Sequence, residues 1–176
     1  MSLSDVGITD SVAETGATFA ENALIKARYY HSLSQIPTLA DDGGFEIDAL
    51  NGDPGVKSHR WIDETLESTD AELVEYTLKR LQGIPLEKRQ AQLRLVLALI
   101  IAPGKEFTTE AAISGIVPLV PAPKIIPGFP YRSLLFLPEL NKFYDHAQLT
   151  PEETEQYNHR RRALEKLKPT IKKYLC

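Results

Sequence analysis

The sequence predicts an α/β domain in which helices and strands are interleaved along the chain. Three observations carry that prediction: a helical period with its own start signal from residue 18, a near-continuous apolar run over residues 91–102, and a second helical start at Thr150. With 43% apolar and 25% charged side chains, 176 residues suffice for one domain, residues 1–176, with a real core.

Phe19, Ala23, Leu24, Ala27 and Tyr30 recur at helical spacing, and Thr18 with Glu21 three residues later forms a capping box that fixes the start of this helix. Pro37 to Ala40 reads as a short buried strand opening into a tight turn at Asp41, Asp42, Gly43 and Gly44. Phe45 to Leu50 reads as a second strand, closed by Asn51, Gly52, Asp53 and Pro54. A helix is expected over residues 70–81. The Leu-rich run Ala91 to Ala102 suits a buried strand, followed after Pro103 and Gly104 by a hairpin partner around residues 107–117, although its length alone also fits a buried helix. Proline-rich residues 118–138 predict a loop returning to a short strand near Leu134 to Leu137. Thr150, Pro151, Glu152 and Glu153 then start a helix running toward Leu167, which Pro169 ends or kinks.

Composition excludes several classes of function. A net charge of −4 provides no basic excess for holding a nucleic acid. The single cysteine, Cys176, leaves no internal disulfide, no window reaches the apolar length of a membrane span, and the start lacks the pattern of a signal peptide. These readings point to a cytoplasmic protein with neither a nucleic-acid nor a membrane partner.

The chemistry concentrates in AETGATFAENALIKAR and LADDGGFEIDALNGDPGVKSHRW. Glu14, Glu21, Asp41 and Asp42 supply the hard oxygen ligands that Mg²⁺ uses when it also holds substrate phosphates. Glu21 is equally explained as the capping acid, with Asn22 beside it in a supporting role, and Glu14 as a solvated loop acid. Asp41 and Asp42 are costly to bury at a strand end unless cations or donors meet them. On extended backbone they point to opposite sides, so one is expected to hold structure while the other faces a site. Near the end, Asn158, His159, Arg160, Arg161 and Arg162 form a basic stretch of helix, suited to polyphosphate or base carbonyls, although such a face is more often simply solvated. Phe129 and Tyr131 offer rings for stacking on a purine or, more commonly, for plugging a core.

ETGATFAENALIKA, LADDGG with FEIDALNGDPGV, the GFPY loop, and QLTPEE leading to NHRRRAL together resemble the inosine/xanthosine triphosphate pyrophosphatase family, over about Ser4 to Leu167. The resemblance implies an elongated mixed-sheet α/β fold of two lobes with a central cleft, a homodimer, Mg²⁺, and hydrolysis of non-canonical purine nucleoside triphosphates to the monophosphate and pyrophosphate. It places Glu14 and Asp42 among the metal ligands, with Asp42 also the proton acceptor for the attacking water; Asp41, from the same acidic cluster, is expected beside them as a further metal ligand. Lys26 falls near the phosphates, Phe129 and Tyr131 on the base, and His159 with Arg160 on the purine 6-oxo edge. Gly43 and Arg132 occupy substrate-binding positions where the family has a serine and an aspartate, and Thr154 stands for a lysine. The family opens with a strand, a Gly/Asn/Lys phosphate loop and a helix; by ordinary element lengths roughly 30 to 40 residues of that kind are expected upstream of this start. The competing expectation is a degenerate or fragmentary member that binds nucleotide or dimerises without turnover.

Overall fold

A computed structural model of the chain describes residues 1–63, 65–145 and 147–175, so the reading of Cys176 lies outside the described residues. Helix α1, Phe19–Ser34, begins where the capping box places it. Thr18 Oγ1 accepts from the Glu21 N–H at 3.2 Å, while Glu21 Oε2 accepts from the N–H groups of Thr18 at 3.0 Å and Ala17 at 2.6 Å. These bonds satisfy donors that a helix start otherwise leaves open.

Strand β1, Thr38–Ile47, runs without interruption through Asp41 to Gly44, which corrects the expected tight turn and the expected separate strand over 45–50. Neither Gly43 nor Gly44 adopts a left-handed φ, the chain stays extended beside β2, Gln90–Ala102, in the sheet, and the two aspartates are each met by a cation. The turn comes later, in a 3₁₀ turn at Asp48–Leu50 followed by left-handed Asn51.

Helix α2, Asp70–Arg80, carries a second capping box between Thr69 and Glu72. Strands β2, Gln90–Ala102, and β3, Lys105–Ile116, are joined by two residues, a connection only antiparallel neighbours allow. After the proline-rich segment and a 3₁₀ turn at Pro130–Ser133 come the short strands β4, Phe136–Leu137, and β5, Lys142–Phe143. The sheet order is β1-β2-β3-β4-β5, with β3, β4 and β5 antiparallel in turn.

The last helix expected from the sequence is two: α3, Pro151–Gln156, and α4, His159–Leu175. Tyr157 leaves helical geometry, buries its ring, and donates its hydroxyl to Glu139 Oε2 at 2.8 Å. Pro169 does not end α4 but sits inside it. An internal proline costs about 3 kcal/mol. Leu167 and Ile171 on either side pack on Leu95, Leu97 and Leu99 of β2, and burying side chains of this size returns about 1.5–3 kcal/mol each. Packing therefore carries the helix past the proline.

The chain divides into two compact units. Unit 1 comprises Met1–Gly43, Leu95–Ala111 and His159–Cys176. In its core, alternate residues of β2 meet Ala111, Ala163 and Leu167. Val96, Ala98 and Ile100, on the other side of the pleat, are buried as well, so the strand reads as continuously apolar. Unit 2 comprises Gly44–Arg94 and Ala112–Asn158, and its core gathers Phe45, Ile47, Leu73, Ile113, Val117, Tyr131, Leu134, Leu135 and Leu137. Among the described residues no helix is long and apolar enough to cross a membrane.

Candidate active site

A cluster of charge lies in unit 1, where α1, β1 and the segment before α1 bring Glu14, Lys26 and Asp42 together. Lys26 Nζ donates to Glu14 Oε2 at 2.8 Å and to Asp42 Oδ1 at 3.0 Å. The Asp42 side chain is only 13% exposed, Lys26 19% and Glu14 37%. Burial lifts the Asp42 carboxyl above the ordinary carboxylate range; the Lys26 ammonium pulls it back and the neighbouring Glu14 carboxylate pushes it up again, leaving it raised. For Lys26, burial works against the charge, but the hydrogen bonds to both carboxylates outweigh it and hold the ammonium above its usual range.

The loop carrying Glu14 is pinned to the start of α1. Buried Asn22 accepts the Gly16 N–H at 2.7 Å through Oδ1, the supporting role expected of Asn22, as Glu21 fills its role as capping acid. Gly16 is required here: a Cβ on it would fall 2.6 Å from Glu21 Cβ and 2.9 Å from the Asn22 backbone nitrogen. Sequence reasoning gave Gly16 no role, although a glycine two residues before a threonine N-cap was the available signal.

Asp41 does not converge on Lys26 with Glu14 and Asp42. Its Oδ2 accepts from Arg160 NH2 at 2.7 Å instead, because neighbouring side chains on an extended strand take opposite sides. Among the described residues no group of three or more His, Cys, Asp or Glu side chains is gathered around one point. Two carboxylates sharing one cation nevertheless suit a hard divalent ion, which takes one or two protein carboxylates and completes its shell with water and phosphate oxygens. His159 and Arg160 open α4, His159 half-buried and Arg160 exposed, and Gly43 lies exposed on β1 beside Asp42.

In unit 2 the proline-rich segment separates its two aromatics. Tyr131 is buried, stacks on Phe45 with ring centroids 5.1 Å apart, and donates its hydroxyl to Ser58 O at 2.7 Å. It is a core plug, the alternative the sequence left open, and burial pushes its phenol pKa up. Phe129 is 53% exposed and presents its ring at the surface, with the Arg132 guanidinium 4.4 Å from the ring centroid. Just before it, left-handed Gly128 donates its N–H to Asp70 Oδ2 at 2.7 Å, a support that sequence reasoning missed because Asp70 reads only as a helix start.

The chain matches the Ham1 family over residues 1–170. It belongs to that family. A dITP/XTP pyrophosphatase of Geobacillus kaustophilus is 40% identical over 166 residues, covering 94% of this chain and 78% of that one. A dITP/XTP pyrophosphatase of Thermoanaerobacter is 39% identical over 176 residues, covering 99% and 84%. Among solved structures, the Staphylococcus aureus Ham1 protein superposes with a TM-score of 0.81 at 30% identity, covering 97% of this chain and 84% of that one. The dITP/XTP pyrophosphatase of Mycobacterium abscessus gives 0.76 at 38% identity, covering 95% and 85%. The mixed α/β Ham1 fold and the resemblance drawn from the motifs are thereby borne out.

Proposed function

We propose that this Ham1 protein is a hydrolase of phosphoric anhydrides that clips non-canonical purine nucleoside triphosphates, dITP, ITP and XTP, to the monophosphate and pyrophosphate. The observation that carries the reading is the convergence of Glu14 and Asp42 on Lys26, in a family whose relatives above are named dITP/XTP pyrophosphatases. Asp42 accepts the proton of the attacking water; a bond forms from the water oxygen to the α-phosphorus, and the bridge to the β-phosphate breaks to release pyrophosphate. Before metal binds, burial and the adjacent Glu14 raise the proton affinity of Asp42 above that of an ordinary carboxylate. Glu14 and Asp42 would hold Mg²⁺, which supplies charge neutralisation for the phosphate oxygens. Lys26 meets the phosphates, and Arg160, steadied by Asp41, offers its remaining donors with His159 to the 6-oxo edge of the base. Phe129 packs against the base, and Gly43 and Arg132 line the substrate at the positions the family motif assigns them. A homodimer in the cytoplasm completes the reading.

The test is pyrophosphate release from dITP with Mg²⁺, comparing the protein with its Asp42→Asn variant at matched folded concentration. Equal rates would sink the assignment of Asp42. A preference for dATP over dITP would overturn the proposed substrate class.

A further inference from the structure

We infer that Lys26 is a resident counter-ion that occupies the two carboxylates before a divalent cation arrives, and that cation binding releases its ammonium toward the phosphates. The inference rests on the metal role proposed for Glu14 and Asp42. Two carboxylates that reach the same ammonium, Asp42 mostly buried and Glu14 more exposed, carry a repulsion that the fold must offset. Lys26 Nζ offsets it with one hydrogen bond to each, at 2.8 and 3.0 Å, from the middle of α1. An ammonium and a divalent cation compete for the same two oxygens, Glu14 Oε2 and Asp42 Oδ1, because both seek the lone pairs and the negative charge.

The exchange keeps charge balanced. Without metal, one positive charge faces two negative ones and the loop carrying Glu14 stays drawn to β1. With metal, the carboxylates are neutralised and a four-carbon stem leaves the ammonium free to move to an anionic ligand. Lys26 is thus a positioning residue for the empty site and a phosphate contact for the filled one, and these two duties respond to substitution in opposite directions.

The test is calorimetric titration of Mg²⁺ and, separately, of inorganic pyrophosphate with Mg²⁺ held in excess, into the intact protein and its Lys26→Met variant. Removing the competing ammonium should tighten Mg²⁺ by about tenfold, the equivalent of 1.4 kcal/mol, while weakening pyrophosphate by a similar factor. Lys26→Gln serves if the methionine variant does not fold. On the unaltered protein, acetylation of Lys26 by acetic anhydride, followed by mass spectrometry, should speed up when Mg²⁺ is added, since a side chain no longer held by two carboxylates is open to the reagent. Unchanged or weaker Mg²⁺ binding in the variants, or acetylation indifferent to Mg²⁺, would overturn the inference while leaving the proposed hydrolysis standing. No Mg²⁺ binding by any form would remove the metal role itself, and this inference with it.

Discussion

In unit 1, charged side chains from α1, β1 and the preceding loop meet within 3.0 Å of one ammonium, whereas in unit 2 the motif GFPYR splits its aromatics between core and surface. The difference follows from what holds each segment. Glu14, Lys26 and Asp42 are aimed by a capped helix and a continuous strand, whose periods determine which side chains share a face. Phe129, Tyr131 and Arg132 are aimed by a proline-bounded 3₁₀ turn, in which a single residue decides between burial and solvent. In the first region similar chemistry converges; in the second, one ring is given to stability and its neighbour is left available. The comparison predicts that substitutions in unit 1 remove activity without loss of fold, while those in the loop divide by residue.

The largest effect expected is at Asp42. Asp42→Asn removes a charge and a proton acceptor together, so kcat should fall by about three powers of ten or more in pyrophosphate release. Stability should move little or rise at neutral pH. A carboxyl whose folded pKa is raised contributes stability below its unfolded pKa and loses it as pH rises through the folded value, so ionised Asp42 is a burden at pH 7. Without metal, the parent's unfolding free energy should accordingly fall as pH rises through a pKa above the ordinary carboxylate range, and chemical denaturation should show Asp42→Asn no weaker than the parent. A large loss of stability in this variant would erase the contrast between the units.

The next effect separates the two aromatics. Tyr131→Ala should cost about 3–5 kcal/mol of unfolding free energy through the cavity left beside Phe45, and Tyr131→Phe about 1 kcal/mol through the lost bond to Ser58. Phe129→Ala should stay within about 0.5 kcal/mol, its effect appearing in KM for dITP instead. Denaturation curves and initial rates on the same three variants decide it. If Phe129→Ala destabilises as much as Tyr131→Ala, the division of the loop is wrong.

Gly16→Ala tests how tightly unit 1 is built. The added methyl forces the loop away from Asn22 and carries Glu14 with it, and a misplacement of this kind should lower kcat/KM by about ten- to a hundredfold. Raising Mg²⁺ should recover part of the loss, which a fault elsewhere would not allow.

Helix starts were legible because a threonine followed three residues later by a glutamate is a local device: Thr18 with Glu21 behaves in the structure as it reads in the sequence. The β2-β3 hairpin was legible for a similar reason, a near-continuous apolar run stopped by Pro103 and Gly104. Asp41 to Gly44 misled because two acids and two glycines are turn chemistry in isolation. What keeps them extended is pairing with β2 in the sheet, and the two acids meet Lys26 and Arg160, 16 and 119 residues away in sequence; no local pattern reports such partners. The break at Tyr157 was hidden for the same reason, since burial of one ring in a distant core outweighs helix continuity. At the site, the motif supplied the residues but not their partners: Lys26 read as a phosphate ligand, and its hold on both carboxylates needed the fold.

The smallest effect concerns the exposed pair, Asp41 and Arg160. With Arg160 67% exposed and Asp41 36%, either neutral variant should change stability by no more than about 1 kcal/mol. Their influence should appear in selectivity. Arg160→Ala removes a forked donor, so the dITP-to-dATP ratio of kcat/KM should fall more than the rate with either substrate alone requires. Asp41→Asn leaves the donor in place but loosens it, and should erode the same ratio by a smaller factor. In the double variant the Asp41 change should add nothing, because its only route to the base runs through Arg160. Additive losses would show that Asp41 acts on substrate or metal by itself, as a third ligand beside Glu14 and Asp42.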